Sequence, residues 1–166
     1  MLMGKDKEII LNLEDLDLTV LNPEQDDQTN LKDLVAERPA ILNFIIGTWC
    51  PKCDAHIQGL INAADLLNTG RGPEVFIVST EPNKKLRNYF SKNGAIEEPP
   101  FRVISDKSKS LINAFGLKVP VFGFAKPASV LVQSDESWRI IFRGLPSEEQ
   151  LLEYECVFIP RIAKAE

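Results

Sequence analysis

The chain has 166 residues, 44% apolar and 26% charged, with a formal net charge of −5. That is enough apolar material for one globular core in a single domain. The acidic balance argues against nucleic acid or an anionic membrane as partner, and no stretch approaches the ~18 apolar residues of a spanning helix.

The opening "MLMGKDKEII" lacks the apolar segment and cleavage site of a secretory signal, which points to the cytoplasm. Residues 1–38 read as an N-terminal extension packed on the core. Within it, "NPEQDDQTN" (22–30) is a polar loop, and "LKDLVAE" (31–37) is a short helix ended before Pro39. "AILNFII" (40–46) is a continuous apolar run with β-branched and aromatic residues, the pattern of a strand buried on both faces. From Ile57 onward Leu60, Ile61, Ala64 and Leu67 recur at helical spacing until the turn residues of "NTGRGP".

"EVFIVST" (74–80) is a second buried strand, and "NKKLRNYFSKNG" is an amphipathic helix with Leu86, Tyr89 and Phe90 inward and Gly94 as its cap. A short strand "FRVISD" and a helix "SKSLINAFGL" follow. "ASVLVQ" and "WRIIFRG" are strands joined by the polar turn "SDES", and "SEEQLLEYECVF" is a final helix opened by Ser147. Alternation of this kind predicts an α/β domain: a central mixed sheet, largely parallel and covered by helices on both faces, with a closing antiparallel hairpin and a C-terminal helix.

Three cysteines are too few to staple a secreted domain, so chemistry is their better explanation. Cys50 and Cys53, in "WCPKC", fall where a buried strand gives way to a helix. Free N–H groups and the positive end of the macrodipole stabilise a thiolate there, lowering the thiol pKa from ~8.5 to roughly 3.5–7.5. Cys50 then attacks a substrate disulfide, and Cys53, one turn further in and less exposed, resolves the mixed disulfide. Pro51 suits a first helical turn, and Lys52 adds a favourable charge.

The same spacing serves other ends. Cys50, Cys53, His56 and Cys156 would make a Cys3His zinc set, but three ligands on one helix and a fourth about a hundred residues away is an unusual spacing. Haem attachment needs histidine directly after the second cysteine, and Asp54 stands there. A purely structural pair of buried cysteines is a third possibility.

"NFIIGTWCPKC" resembles the active-site segment of thioredoxin-fold proteins of the TlpA/ResA and AhpC/TSA type, and the likeness runs from about Ile9 to Phe158. The resemblance implies a thioredoxin-like fold with Cys50 as nucleophile, Cys53 as resolving cysteine and Trp49 beside them. It also implies Pro127, after Lys126, as the cis-proline whose loop binds the substrate backbone, with Pro120 as competitor. Glu81 matches a carboxylate kept near the dithiol, able to relay a proton to or from Cys53. The segment between Gly116 and Pro127 is longer than the family pattern, and the proline follows the first cysteine instead of preceding the second.

The expected activity is thiol–disulfide exchange with protein disulfides or dithiols, reset by an upstream thiol reductant or oxidant. No cofactor beyond the cysteine pair is expected, and neither a metal nor a membrane segment. Relatives of this type are often exported, which sets a second compartment beside the cytoplasm. One rival is a thiol peroxidase with Cys50 as peroxidatic cysteine. Peroxiredoxins usually carry proline and threonine seven and three residues before that cysteine, where this chain has Asn43 and Gly47. The other rival is a redox-inactive interaction module. His56 and Arg143 read as solvated, Cys156 as a small apolar helix residue, and "VPVFGFAKP" as part core and part apolar platform for a partner.

Overall fold

The computed structural model describes residues 11–22, 24–62, 72–92 and 102–145. These hold strands β1 (Asp17–Leu21), β2 (Asp27–Asn30), β3 (Ala40–Phe44), β4 (Glu74–Ser79), β5 (Arg102–Ser105), β6 (Ala128–Val132) and β7 (Trp138–Arg143). The helices are α1 (Leu31–Leu34), α2 (Pro51–Asn62), α3 (Asn83–Lys92) and α4 (Ser110–Ala114), preceded by a 3-10 turn at Leu13–Asp15.

One sheet runs in the order β2-β1-β5-β4-β3-β6-β7. Its centre is parallel, with β4 pairing β3 on one side and β5 on the other. Both flanks are antiparallel, β2-β1-β5 on one and β3-β6-β7 on the other. The sheet is therefore mixed, as expected. Its antiparallel share is enlarged by the N-terminal region: β1 lies between β2 and β5, and β2 occupies the stretch expected to be a polar loop. Its sequence, DQTN, carries no apolar alternation because it is an exposed edge.

Side chains alternate between two cores. Phe76 and Val78 of β4 join Leu42, Phe44, Ile104, Leu111 and Ile112 on one face. Val75 and Ile77 join Ile45, Cys50, Cys53, Ile57, Leu60, Leu86 and Phe90 on the other. This two-sided burial is why β3 and β4 read as unbroken apolar runs. The cysteines thus sit in the core that α2 and α3 build against the sheet. Buried Asp106 closes the other side, accepting the N–H groups of Leu111 and Ile112 at 3.1 and 3.0 Å and so supporting the start of α4. The expected Gly94 cap and the C-terminal helix with Cys156 lie outside the described residues. No helix of the described residues is long and apolar enough to cross a membrane.

Candidate functional site

β3 delivers the chain to the site, and the hydrogen bond from Ile45 N to Val78 O extends its pairing with β4 by one residue. The chain then turns through Gly47, Thr48 and Trp49 and enters α2 at Pro51. The turn is closed by Cys50 N donating to Gly47 O at 3.2 Å, and Asp54 N donates to Cys50 O at 3.0 Å. Cys50 is thus the residue that caps α2, with its carbonyl taking the first helical bond. Its sulfur takes the part a serine or aspartate oxygen usually plays, facing the second and third N–H groups of the helix, those of Lys52 and Cys53.

The electrostatics follow from that placement. Burial pushes the Cys50 thiol up, but the N–H groups of Cys53 and Lys52, the Cys53 thiol and the Lys52 charge together outweigh it and bring the thiol below its ordinary value. Cys53 goes the other way. Burial raises it, the nearby Cys50 sulfur raises it further, and the N–H groups of Gly47 and Ile46 only partly offset this. Ile46 N reaches the Cys53 sulfur at 3.3 Å. Cys50 keeps 8% of its surface and Cys53 none. Both are free thiols.

Glu81 is buried just beyond β4 and grips the turn. Its carboxylate accepts from Thr48 N at 3.0 Å, from Thr48 Oγ1 at 3.1 Å and from Ser79 Oγ at 3.3 Å, and Lys85 neutralises it at 2.9 Å. Among the described residues no hydrogen bond links Glu81 to either sulfur. Its part is to position the turn from which Cys50 projects. The partner, Thr48, could not be named from sequence, since 33 positions separate the two.

Trp49 is exposed. Its indole lies over Gly47, where an added Cβ would come 2.3 Å from Nε1. The ring meets Phe124 edge-on at 6.0 Å, which ties the cysteine turn to the loop before β6. Register brings that loop close, because Phe44 at the end of β3 faces Ala128 at the start of β6. Pro127 therefore adjoins the strand that leads to the cysteines, and Lys126 is exposed beside it. The Lys126–Pro127 bond is trans, as is Val119–Pro120, so the expected cis-proline is corrected at both positions. Pro127 is already committed to sheet-like bonding: Gly144 N donates to its carbonyl at 2.8 Å, and Lys126 N donates to Leu117 O at 2.6 Å.

His56 is buried, not solvated. It shares the inward face of α2 with Cys53, Ile57 and Leu60. Among the described residues no three His, Cys, Asp or Glu side chains are grouped to hold a metal ion. Two further groups escaped sequence reading. Tyr89 of α3 donates its hydroxyl to Asp54, bracing the first turn of α2. Burial, then the Asp54 carboxylate, push that phenol well above its ordinary value, and Cys53 adds to the effect. Asn43, where peroxiredoxins usually have proline, points into the sheet, donating to Phe76 O at 3.2 Å and accepting from Ser129 Oγ at 2.8 Å.

Solved structures share this architecture. Enterococcus faecalis AhpC aligns over 89% of this chain and 91% of its own, with 17% identity and a TM-score of 0.69. The reduced 2-Cys peroxiredoxin of Plasmodium vivax aligns over 90% and 94%, with 15% identity and a TM-score of 0.71. Reduced Prx3 of Vibrio vulnificus, in complex with hydrogen peroxide, aligns over 88% and 97%, with 18% identity and a TM-score of 0.69. At such identities the likeness is one of fold. No curated protein sequence matches the chain. The sequence profile of the AhpC/TSA family matches residues 13–139, from the 3-10 turn into β7, with the Cys50–Cys53 turn inside the match. A thioredoxin-like sheet with a cysteine capping the helix after β3, under a profile match of that length, makes this chain a member of the AhpC/TSA family, and its chemistry thiol redox chemistry.

Proposed function

We propose that the protein is a dithiol–disulfide oxidoreductase in which Cys50 attacks and Cys53 resolves. The observation that carries this reading is the placement of two free thiols one helical turn apart, Cys50 at the cap of α2 and Cys53 fully buried behind it, an arrangement that lowers the first thiol and raises the second. The Cys50 thiolate attacks one sulfur of a substrate disulfide. A Cys50–substrate disulfide forms and the first substrate thiolate departs. Cys50 then no longer carries the charge that helped hold the Cys53 proton. The Cys53 thiol ionises more readily, attacks the Cys50 sulfur and releases the second substrate thiolate. Two electrons pass to the substrate, leaving a Cys50–Cys53 disulfide for an upstream dithiol to reduce. The reverse sequence oxidises a dithiol. Trp49, Lys126 and Pro127 border the approach to Cys50, and Glu81 keeps the turn in shape.

Family membership supports a second reading, peroxide reduction. The Cys50 thiolate would attack one peroxide oxygen, breaking the O–O bond to give a sulfenic acid and hydroxide, which takes up a proton from solvent, and the Cys53 thiol would condense with the sulfenic acid to form the disulfide and release water. That reaction needs donors for the departing oxygen. Gly47 has no side chain, and the Asn43 amide and Thr48 hydroxyl are already engaged. These features favour disulfide exchange.

The two readings separate when reduced protein is given insulin, whose disulfides it should cleave, and hydrogen peroxide in parallel. Cys50→Ser should abolish exchange, and Cys53→Ser should accumulate mixed disulfides through Cys50. Fast peroxide consumption with negligible exchange in either direction would establish the peroxidase instead.

A further inference from the structure

The large apolar side chains exposed among the described residues are three: Trp49, Val121 and Phe122, at 60%, 83% and 71%. They gather on one patch. Trp49 meets Phe124 at 6.0 Å, and Phe124 stacks on Phe122 at 5.4 Å with the rings 16° apart. A row of three rings thus starts at the residue before Cys50 and runs along the loop that precedes β6.

That loop is a fixed structure. Lys118 and Ala125 form a β-bridge, Val119 N donates to Phe124 O at 2.9 Å, and Gly123 N donates to Val119 O at 3.1 Å. Gly123 takes the left-handed conformation at φ +69° that closes the tip. Backbone bonds therefore hold Val121 and Phe122 out in water. A rigid apolar surface of this kind binds without first paying for loop ordering.

The charge around the patch runs against the rest of the molecule. The chain as a whole is at −5, yet residues 47–53 and 116–127 contain Lys52, Lys118 and Lys126 and no acidic residue. Lys109 adds a fourth cation, its ammonium lying 2.5 Å from where a Cβ on Gly123 would stand. Among the described residues none of these four lysines forms an ion pair. The acidic groups on neighbouring segments are occupied: Glu81 by Thr48 and Lys85, Asp54 by Tyr89, and Asp106 by the amides of α4.

We infer that this patch is the docking surface for a redox partner protein whose cysteine-bearing segment presents an apolar side chain flanked by acidic residues. The inference rests on Cys50 being the exchanging thiol. The apolar anchor would cover Phe122 and Trp49, and its carboxylates would face Lys109 and Lys118. Three exposed side chains beyond the sulfur exceed what a small disulfide could cover, so the partner is a polypeptide. The lysines select its charge and speed its approach.

The test uses two cysteine-free decapeptides, each with a central Leu-Tyr pair, one flanked by four glutamates and the other by four lysines. Calorimetric titration of the intact protein at low salt should find the acidic peptide bound about tenfold more tightly, with the preference shrinking as salt screens it. Phe122→Ser should weaken the acidic peptide about tenfold, and Lys109→Glu with Lys118→Glu should remove its advantage. Equal affinities, tighter binding of the basic peptide, or no binding of either would overturn the inference. So would a dimer in sedimentation that Phe122→Ser dissolves, since the occupant would then be a second copy. Exchange with neutral bis(2-hydroxyethyl) disulfide reads Cys50 chemistry separately: a failure there rejects the dithiol reading and leaves the binding result to judge the surface.

Discussion

The carboxylate of Glu81 holds both the amide and the hydroxyl of Thr48, at 3.0 and 3.1 Å, two residues before the cysteine that caps α2. One charge thereby fixes the path of the turn. Its own burial is tolerable because Lys85 lies 2.9 Å away and three donors converge on it.

Glu81→Ala removes the acceptor for a part-buried amide and hydroxyl and should cost about 1–3 kcal/mol in thermal or urea unfolding. Glu81→Gln keeps the shape but turns one acceptor oxygen into a donor. It should cost less stability and still slow iodoacetamide labelling of Cys50 several-fold, because the turn loosens. Unchanged labelling in both variants would remove Glu81 from the site's support.

The two thiols should titrate on opposite sides of an ordinary cysteine. Alkylation follows the thiolate, so Cys50 labelling should rise with pH to a midpoint below that of a free thiol, and Cys53 labelling should lag to a midpoint above it. Lys52→Glu reverses a neighbouring charge and should move the Cys50 midpoint upward. Mass spectrometry of tryptic peptides labelled across the pH range reads both midpoints. Coincident curves would contradict the helix-capping account.

At Gly47 the constraint is space. Gly47→Ala sets a methyl 2.3 Å from Trp49 Nε1 and 2.8 Å from Cδ1, so the indole must swing away. Because that ring is mostly exposed, the stability cost should stay near 1 kcal/mol, at the low end for overpacking. Indole fluorescence should shift, and exchange with a disulfide peptide should slow, while the melting temperature moves little.

Asp106 tests the far side of the sheet. Asp106→Ala strands the N–H groups of Leu111 and Ile112 and should cost about 1–3 kcal/mol in urea unfolding. Burial raises this carboxyl above 3.8, against the pull of the Ile112 and Leu111 amides. The folded state therefore keeps the proton longer than the unfolded chain. The resulting stability is fully present below 3.8 and is lost as pH rises through the folded value. Asp106→Asn should flatten that slope.

Where burial is two-sided, composition alone reveals the element, and β3, β4 and β6 were legible for that reason. The edge strand β2 was not, because the sheet bonds it through its backbone and leaves its polar side chains in water. Cys50 could be recognised because a local signal, strand then CxxC then helix, produces its environment. His56 shows a period given too little weight: positions 53, 56, 57 and 60 share one helical face, and the histidine's polarity obscured that it must go inward with them. Glu81 was visible as a candidate, yet its role depends on Thr48. The Tyr89–Asp54 bond likewise depends on how α3 lies against α2, 35 positions apart. Such pairings are made by the tertiary fold and leave no trace in local spacing.

The strand that leads to the cysteines has a consequence for biosynthesis. β3 finds its antiparallel neighbour only in β6, and Ser129 reaches back 86 positions to Asn43. On a ribosome, the CxxC segment emerges well before the strand that completes its sheet and the loop that meets Trp49. Long-range pairings of this kind close late and slowly. A nascent chain therefore holds Cys50 where the amides of Lys52 and Cys53 tune it as soon as α2 winds, whereas the burial that raises Cys53 waits for β4 and α3. The gap between the two acidities would thus widen in stages as the domain closes around the pair.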